Sequence, residues 1–204
     1  VIKTLVDAIV QKRPDLEQVI EQHMLEDSKN IYLNEVYKLK LLMNQAKITP
    51  EMRSVVGPCL KRAEELSCPA AALELDDGRI VTGKTSDLLG ASAAVLLNAI
   101  KVLGDIPDDV HLIAPSAIEP IQVLKTGYLG SKNPRLHTDE VLIALSMSAA
   151  TDETAKKALA QLPKLRGCQV HTSVMLSNVD IKTFKKLGVQ LTSEPVYEHN
   201  KLYH

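Results

Sequence analysis

Apolar positions along the first third of the chain recur every three or four residues. Leu5 and Ile9 share a face, as do Val6 and Val10, with no capping residue before them. Leu16, Val19, Ile20 and Leu25 form the next stripe, behind Pro14 near a helix start. Asn34 can cap a helix carrying Val36, Leu39, Leu42, Met43 and Ala46. Thr49-Pro50-Glu51 is a further start signal, a cap followed by proline at the first helical position. Gly57-Pro58 interrupts that helix, and Leu60, Ala63 and Leu66 continue the stripe. The pattern predicts a helical region over 1–66. Its uncapped start reads as a helix cut by truncation or proteolysis, and not as a signal peptide, because no basic segment or small-residue cleavage site accompanies it.

At Cys68-Pro69 the period changes. Ala70 to Leu75 and Arg79 to Thr82 flank Asp76-Asp77-Gly78, a hairpin signal in which glycine supplies the positive φ of the turn. A helix is predicted from about Ser86 to Leu103, ended by Gly104, then a short buried strand over Val110-His111-Leu112-Ile113-Ala114. Ser116-Ala117-Ile118-Glu119 reads as a capping box opening another helix. Thr138-Asp139-Glu140 opens a helix through Leu145, and Thr151-Asp152-Glu153 the next, which stops at Pro163. Gln169 to Leu176 reads as a strand, Asp180 as the cap of a helix ended by Gly188, and Val189 to Thr192 as the last strand. The expected fold is α/β: a helical N-terminal region, then a mixed five-stranded sheet flanked by helices over 67–204, with a helical pair inserted near 138–162.

Composition narrows the functional classes. The 204 residues carry a net charge of -1, and only 3% are aromatic, with no Trp. A basic face for nucleic acid and an aromatic platform for bases are therefore not expected. The longest apolar run, Val141 to Leu145, is far short of a membrane span. The odd cysteines Cys59, Cys68 and Cys168 suit reduced thiols, and a cytoplasmic setting is expected.

Several segments could carry chemistry. Gly78 to Thr85 matches the phosphate-loop pattern letter for letter, but its interior reads as a strand whose amides a ladder would use. Gly83, Lys84, Thr85 and Ser86, at the strand-to-helix turn, could instead bind an anion with free amides, a charge and hydroxyls. The plainer alternative is a capped helix with a solvated lysine. His137 and Glu140 are candidate acid–base groups, with Asp139 beside them; the alternative has Asp139 and Glu140 complementing a helix N-terminus. His137, Cys168 and His171 form a possible metal set, although Cys-x-x-His on a strand points its ends to opposite faces. No cofactor is expected. Lys132, Arg135 and His137 around Asn133-Pro134 make a basic loop that could hold an acidic ligand or simply be solvated. Ser146 and Ser148 have no cue for an activating base, and Cys59 and Cys68 read as small buried residues.

Two resemblances bear on these segments. Ala71 through Gly83, with Ala114-Pro115-Ser116-Ala117-Ile118-Glu119 further on, resembles the cytidine-deaminase-like fold, which implies that topology. Ser116 and Glu119 stand where that fold carries zinc cysteines, so the resemblance implies none of its zinc chemistry. Tyr37 to Met43, Ala70 to Leu89, Asn133 to Leu145 and Leu162 to Cys168 are similar to the bacterial family called domain of unknown function 1846, also uncharacterised protein family 0371. That family's chains are longer, with a phosphate-loop-like segment in their N-terminal part, and this sequence resembles their C-terminal part. The resemblance implies partners within the same protein and no assigned activity. The expected role is a non-catalytic or contributory module supporting intramolecular contacts or self-association as a homo-oligomer. The alternative is an enzyme fragment binding a phosphorylated or nucleoside-like molecule at the Gly83–Ser86 turn.

Overall fold

A computed structural model of the chain describes residues 41–47 and 49–198. The helices expected over 1–10, after Pro14 and from Asn34 lie largely outside the described residues; 41–46 is helical. The chain divides into two compact units, Val1–Pro50 and Glu51–His204. This division falls earlier than residue 66, because the helix α1 (Val56–Leu66) packs on the sheet of the second unit. Gly57 and Pro58 do not interrupt it. They sit in its first turn, where a missing proline N–H costs no helical hydrogen bond.

The sheet has four strands among the described residues: β1 (Ala70–Glu74), β2 (Ile80–Lys84), β3 (Gln169–Thr172) and β4 (Gln190–Ser193), in the order β2-β1-β3-β4. β1 is antiparallel to both neighbours, and β3 and β4 are parallel. The β1–β2 hairpin turns through Asp76-Asp77-Gly78, with Gly78 at φ 82° and Leu75 N–H donating to Arg79 O at 2.9 Å. The strand expected at 110–114 does not form. Both edges of β1 are taken by β2 and β3, and Val110 N–H closes a turn onto Pro107 O at 3.2 Å. Leu112 and Ile113 still enter the core, but as irregular chain.

β1 is buried almost end to end because it is covered on both faces. Ala72 meets Val55 and Cys59 of the α1 side, while Ala71 and Leu73 belong to the larger core with α2 (Ala91–Leu103). α2 begins five residues later than the sequence pattern suggests. Ser86 caps a short turn instead, its Oγ accepting from Leu88 and Leu89 N–H at 3.3 and 3.1 Å, and Gly90 precedes the helix. The remaining helices are α3 (Pro115–Val123), followed by a π-helical turn over Leu124–Tyr128, α4 (Thr138–Ser148), α5 (Glu153–Leu159) and α6 (Asn178–Leu187). α3 opens on Pro115, and no side chain caps it, so the Ser116–Glu119 capping box is not formed. α5 stops at Leu159, and Pro163 lies in a separate 3-10 turn over Leu162–Leu165. Phe184, fully buried, packs α6 into the core.

Candidate active site

A cleft of about 520 Å³ opens where the N-termini of α2, α4 and α6 meet the loop before α4. Gly90 precedes α2 and Ser92 lies in its first turn, His137 precedes α4, and Ser177 and Asp180 open α6. Lys132, Asn133 and Arg135 supply the loop wall, and Tyr197 and Glu198 the opposite one.

Asp180 is at the centre of this arrangement. It does not cap α6; Ser177 does, its Oγ accepting from Asp180 N–H at 3.2 Å. Asp180 is only 3% exposed, and its carboxylate gathers donors from three helix starts. Its Oδ1 accepts from the Thr138 amide at 2.9 Å and from Ser92 Oγ at 3.2 Å. Its Oδ2 accepts from His137 Nδ1 at 2.9 Å and from Ser177 Oγ at 2.7 Å. Burial works to raise its pKa, but these donors, His137 foremost, outweigh it and hold the carboxyl at about 2. The same hydrogen bond raises the His137 pKa above its ordinary 6.5, against the opposing effect of partial burial.

With Nδ1–H fixed on a carboxylate, Nε2 is the nitrogen His137 can offer to a molecule in the cleft. This is the orientation of a general base, or of a general acid once protonated. It is not a serine-nucleophile triad. Ser177 Oγ lies 3.3 Å from Nδ1, the nitrogen already engaged, and gives its proton to Asp180.

Glu140 has a different task. Its Oε2 accepts from His137 N–H at 2.8 Å, the reciprocal half of a capping box, and pairs with Lys125 Nζ at 2.7 Å. Lys125 is itself buried and also donates to Arg135 O at 2.6 Å. The π-helical turn, Arg135 and the α4 cap are thus tied together behind the cleft. Asp139 Oδ1 accepts from the Glu140 amide at 2.8 Å.

The Gly83–Ser86 turn is not an open amide nest. Gly83 is inside β2, facing α2 so closely that a Cβ would stand 2.2 Å from Val95 N. Lys84 pairs with Ala70 in the ladder, Thr85 N–H donates to Pro69 O at 2.8 Å, and Ser86 N–H donates to Leu89 O at 2.9 Å. The Thr85 and Ser86 amides that an anion would need are occupied, and no helix starts there. Of the four residues only Thr85 lines the cleft. The phosphate-loop match over Gly78–Thr85 is likewise a hairpin.

The three members of the metal set have separate partners. His137 holds Asp180, while Cys168 Sγ donates weakly to Asp76 at 3.7 Å, and burial pushes its thiol up to about 11. His171 is buried on β3 between Thr192 Oγ1 at 2.8 Å and Glu194 Oε1 at 3.1 Å. Burial lowers its pKa; Thr192 Oγ1, which also accepts a hydrogen bond from Arg53, engages Nδ1, and Glu194 engages Nε2. Among the described residues no group of three or more His, Cys, Asp or Glu is placed to hold a metal. Ser146 and Ser148 bond back to carbonyls of their own helix, and Cys59, its pKa raised to about 12 by burial, donates to Ala70 O.

His137, Arg135, Lys132 and Asn133 were legible as chemistry; Asp180, Ser177 and Ser92 were not. Ser177-Asn178-Val179-Asp180 has the spacing of a capping box, which marks Ser177 as the cap but cannot show that Asp180 reaches across to α2 and α4.

Among the described residues no helix is long and apolar enough to cross a membrane. The family model for domain of unknown function DUF1846, C-terminal, matches residues 51–203. A UPF0371 protein of Corynebacterium diphtheriae is 57% identical over 163 residues, covering 80% of this chain and 33% of the relative. One from Corynebacterium aurimucosum is 49% identical over 197 residues, covering 95% and 40%. One from Streptococcus pyogenes is 49% identical over 168 residues, covering 82% and 34%. The chain thus spans about a third of the length of these relatives. The residues that build the sheet and the cleft, from α1 to Glu198, all fall within the matched stretch, and the chain belongs to the DUF1846 (UPF0371) family through its C-terminal domain.

Proposed function

We propose that this domain contributes a binding cleft for a small anionic molecule, with His137 as the group that exchanges a proton with it. The observation that carries this reading is the convergence of half-buried His137, held by buried Asp180, and the Arg135 guanidinium on one cavity of about 520 Å³. Arg135 and Lys132 supply positive charge, and the N-terminal end of α2 adds its dipole. The phosphorylated or nucleoside-like ligand therefore moves from the Gly83–Ser86 turn to this cleft. With relatives about three times as long, the domain is a contributory part of the whole protein's activity.

Inorganic phosphate is the simplest probe. Titrated into protein carrying 13C-labelled histidine, it is expected to shift the His137 resonances saturably while leaving the enclosed His171 unmoved. Arg135→Gln should abolish the shift. A His137 signal indifferent to millimolar phosphate overturns the reading.

A cytidine-deaminase-like ancestry is part of this proposal only as topology. The hairpin-first order β2-β1-β3-β4 supports it, but among the described residues there is no fifth strand, and exposed Ser116 and Glu119 on α3 bring no zinc chemistry.

Self-association is the second reading. Val123, Leu124, Tyr128 and Leu129 follow one another along the end of α3 and the π-helical turn, all about half or more exposed, with Tyr128 at 80%. Such an apolar run suits an interface with a second copy in a cytoplasmic oligomer.

A further inference from the structure

Beyond β4, residues 194–198 turn back over the cleft. The Glu194 amide donates to Thr172 O at 2.9 Å, and the Met175 amide donates to Val196 O at 2.8 Å. Tyr197 and Glu198 then line the cavity, and Glu198 Oε1 takes the Arg135 guanidinium at 2.6 Å. The two side chains are only 28% and 27% exposed.

Arg135 is held from behind without help from Glu198. Its Nε donates to Ser86 O at 2.9 Å, its amide donates to Asn133 Oδ1 at 3.1 Å, and its carbonyl accepts from Lys125 Nζ at 2.6 Å. A guanidinium fixed in this way presents a planar donor set that suits any carboxylate or phosphate oxygen pair. The carboxylate that occupies it comes from a segment tied to the body beyond β4 by the Met175–Val196 hydrogen bond.

We propose that Glu198 is a resident stand-in for the ligand's oxyanion: a phosphate-bearing small molecule binds Arg135 by displacing the Glu198 carboxylate and releasing residues 196–198 from the mouth of the cleft, while Glu194 stays on His171. This rests on the reading of the cleft as an anion site. No covalent step is involved; one charge-assisted pair is exchanged for another, so a neutral molecule does not open the segment.

Glu198→Gln tests it, with phosphate affinity read from His137 and opening read from hydrogen exchange at the Met175 amide. The variant is expected to bind phosphate about fivefold more tightly, as removing a partly buried ion pair allows. Its Met175 amide should exchange faster without phosphate, as that of the unaltered protein should at saturating phosphate. Tighter binding with Met175 exchange unchanged by either phosphate or substitution is a plain charge effect and overturns displacement. Equal His137 responses in both proteins leave the cleft reading intact and overturn displacement alone. No His137 response in either overturns both.

Discussion

Four donors converge on the two oxygens of Asp180, and this sets how the site responds to pH. The carboxyl, held at about 2 against an ordinary 3.8, contributes stability above about pH 4 that is lost as pH falls through 2. His137, with its pKa raised above 6.5, contributes stability that is complete below 6.5 and lost as pH rises through the raised value. Asp180→Asn leaves the amide bonds in place but removes the charge that His137 needs. Urea unfolding should show a deficit of about 3 kcal/mol, largest between about pH 4 and 6.5 and narrower on the alkaline side. His171 works in the opposite sense, since its lowered pKa favours folding as pH rises from that value up to 6.5 and adds nothing further above it. The comparison must therefore be variant against unaltered protein at each pH. A deficit that does not change between pH 6 and 9 would contradict the pairing.

At the scale of elements, the contact between β2 and α2 is the tightest constraint. Among the buried residues of α2 are Ala93, Val95 and Ala99, small side chains that let its backbone come close to the sheet. Gly83 completes that approach: an added Cβ would lie 2.2 Å from Val95 N and 2.7 Å from Val95 Cα, both backbone atoms that cannot swing aside. Gly83→Ala should destabilise the fold by about 3 kcal/mol in urea unfolding, with its effect confined to stability. Gly83 shows where sequence reasoning stops. Glycine, lysine and threonine at a strand-to-helix turn suggested an anion loop, but the same glycine is required by a helix that sequence spacing alone does not bring against it. The hairpin was readable because its turn is local: Asp77 and Gly78 determine it within five residues. The strand expected at 110–114 was not, because its absence depends on β3, some sixty residues later, taking the free edge of β1.

For the whole molecule, the α/β class, the hairpin and most helices followed from periodicity and caps, while the cleft did not. Its walls come from Thr85 and Gly90 to Ser92, from Leu129 to His137, and from between Val174 and Glu198, stretches that only tertiary contact unites. The apolar run from Val123 to Leu129 is also a property of the whole surface, since it matters only if nothing of this chain covers it. If it joins two copies, Tyr128→Ser with Leu129→Ser should shift the mass found by light scattering from dimer to monomer at micromolar concentration. A monomer before substitution would dismiss that interface.

The carboxylate of Asp180 reaches the first turns of three helices, through Ser92 of α2, Thr138 of α4 and Ser177 of α6. No one of these helices can leave without stranding a buried charge against the other two. Fraying is thereby suppressed in favour of a concerted opening, and the cleft is lost or kept as one cooperative unit. A site whose walls melt together has no half-formed state in which His137 stands without its partner, so any molecule it serves meets either the complete arrangement or none.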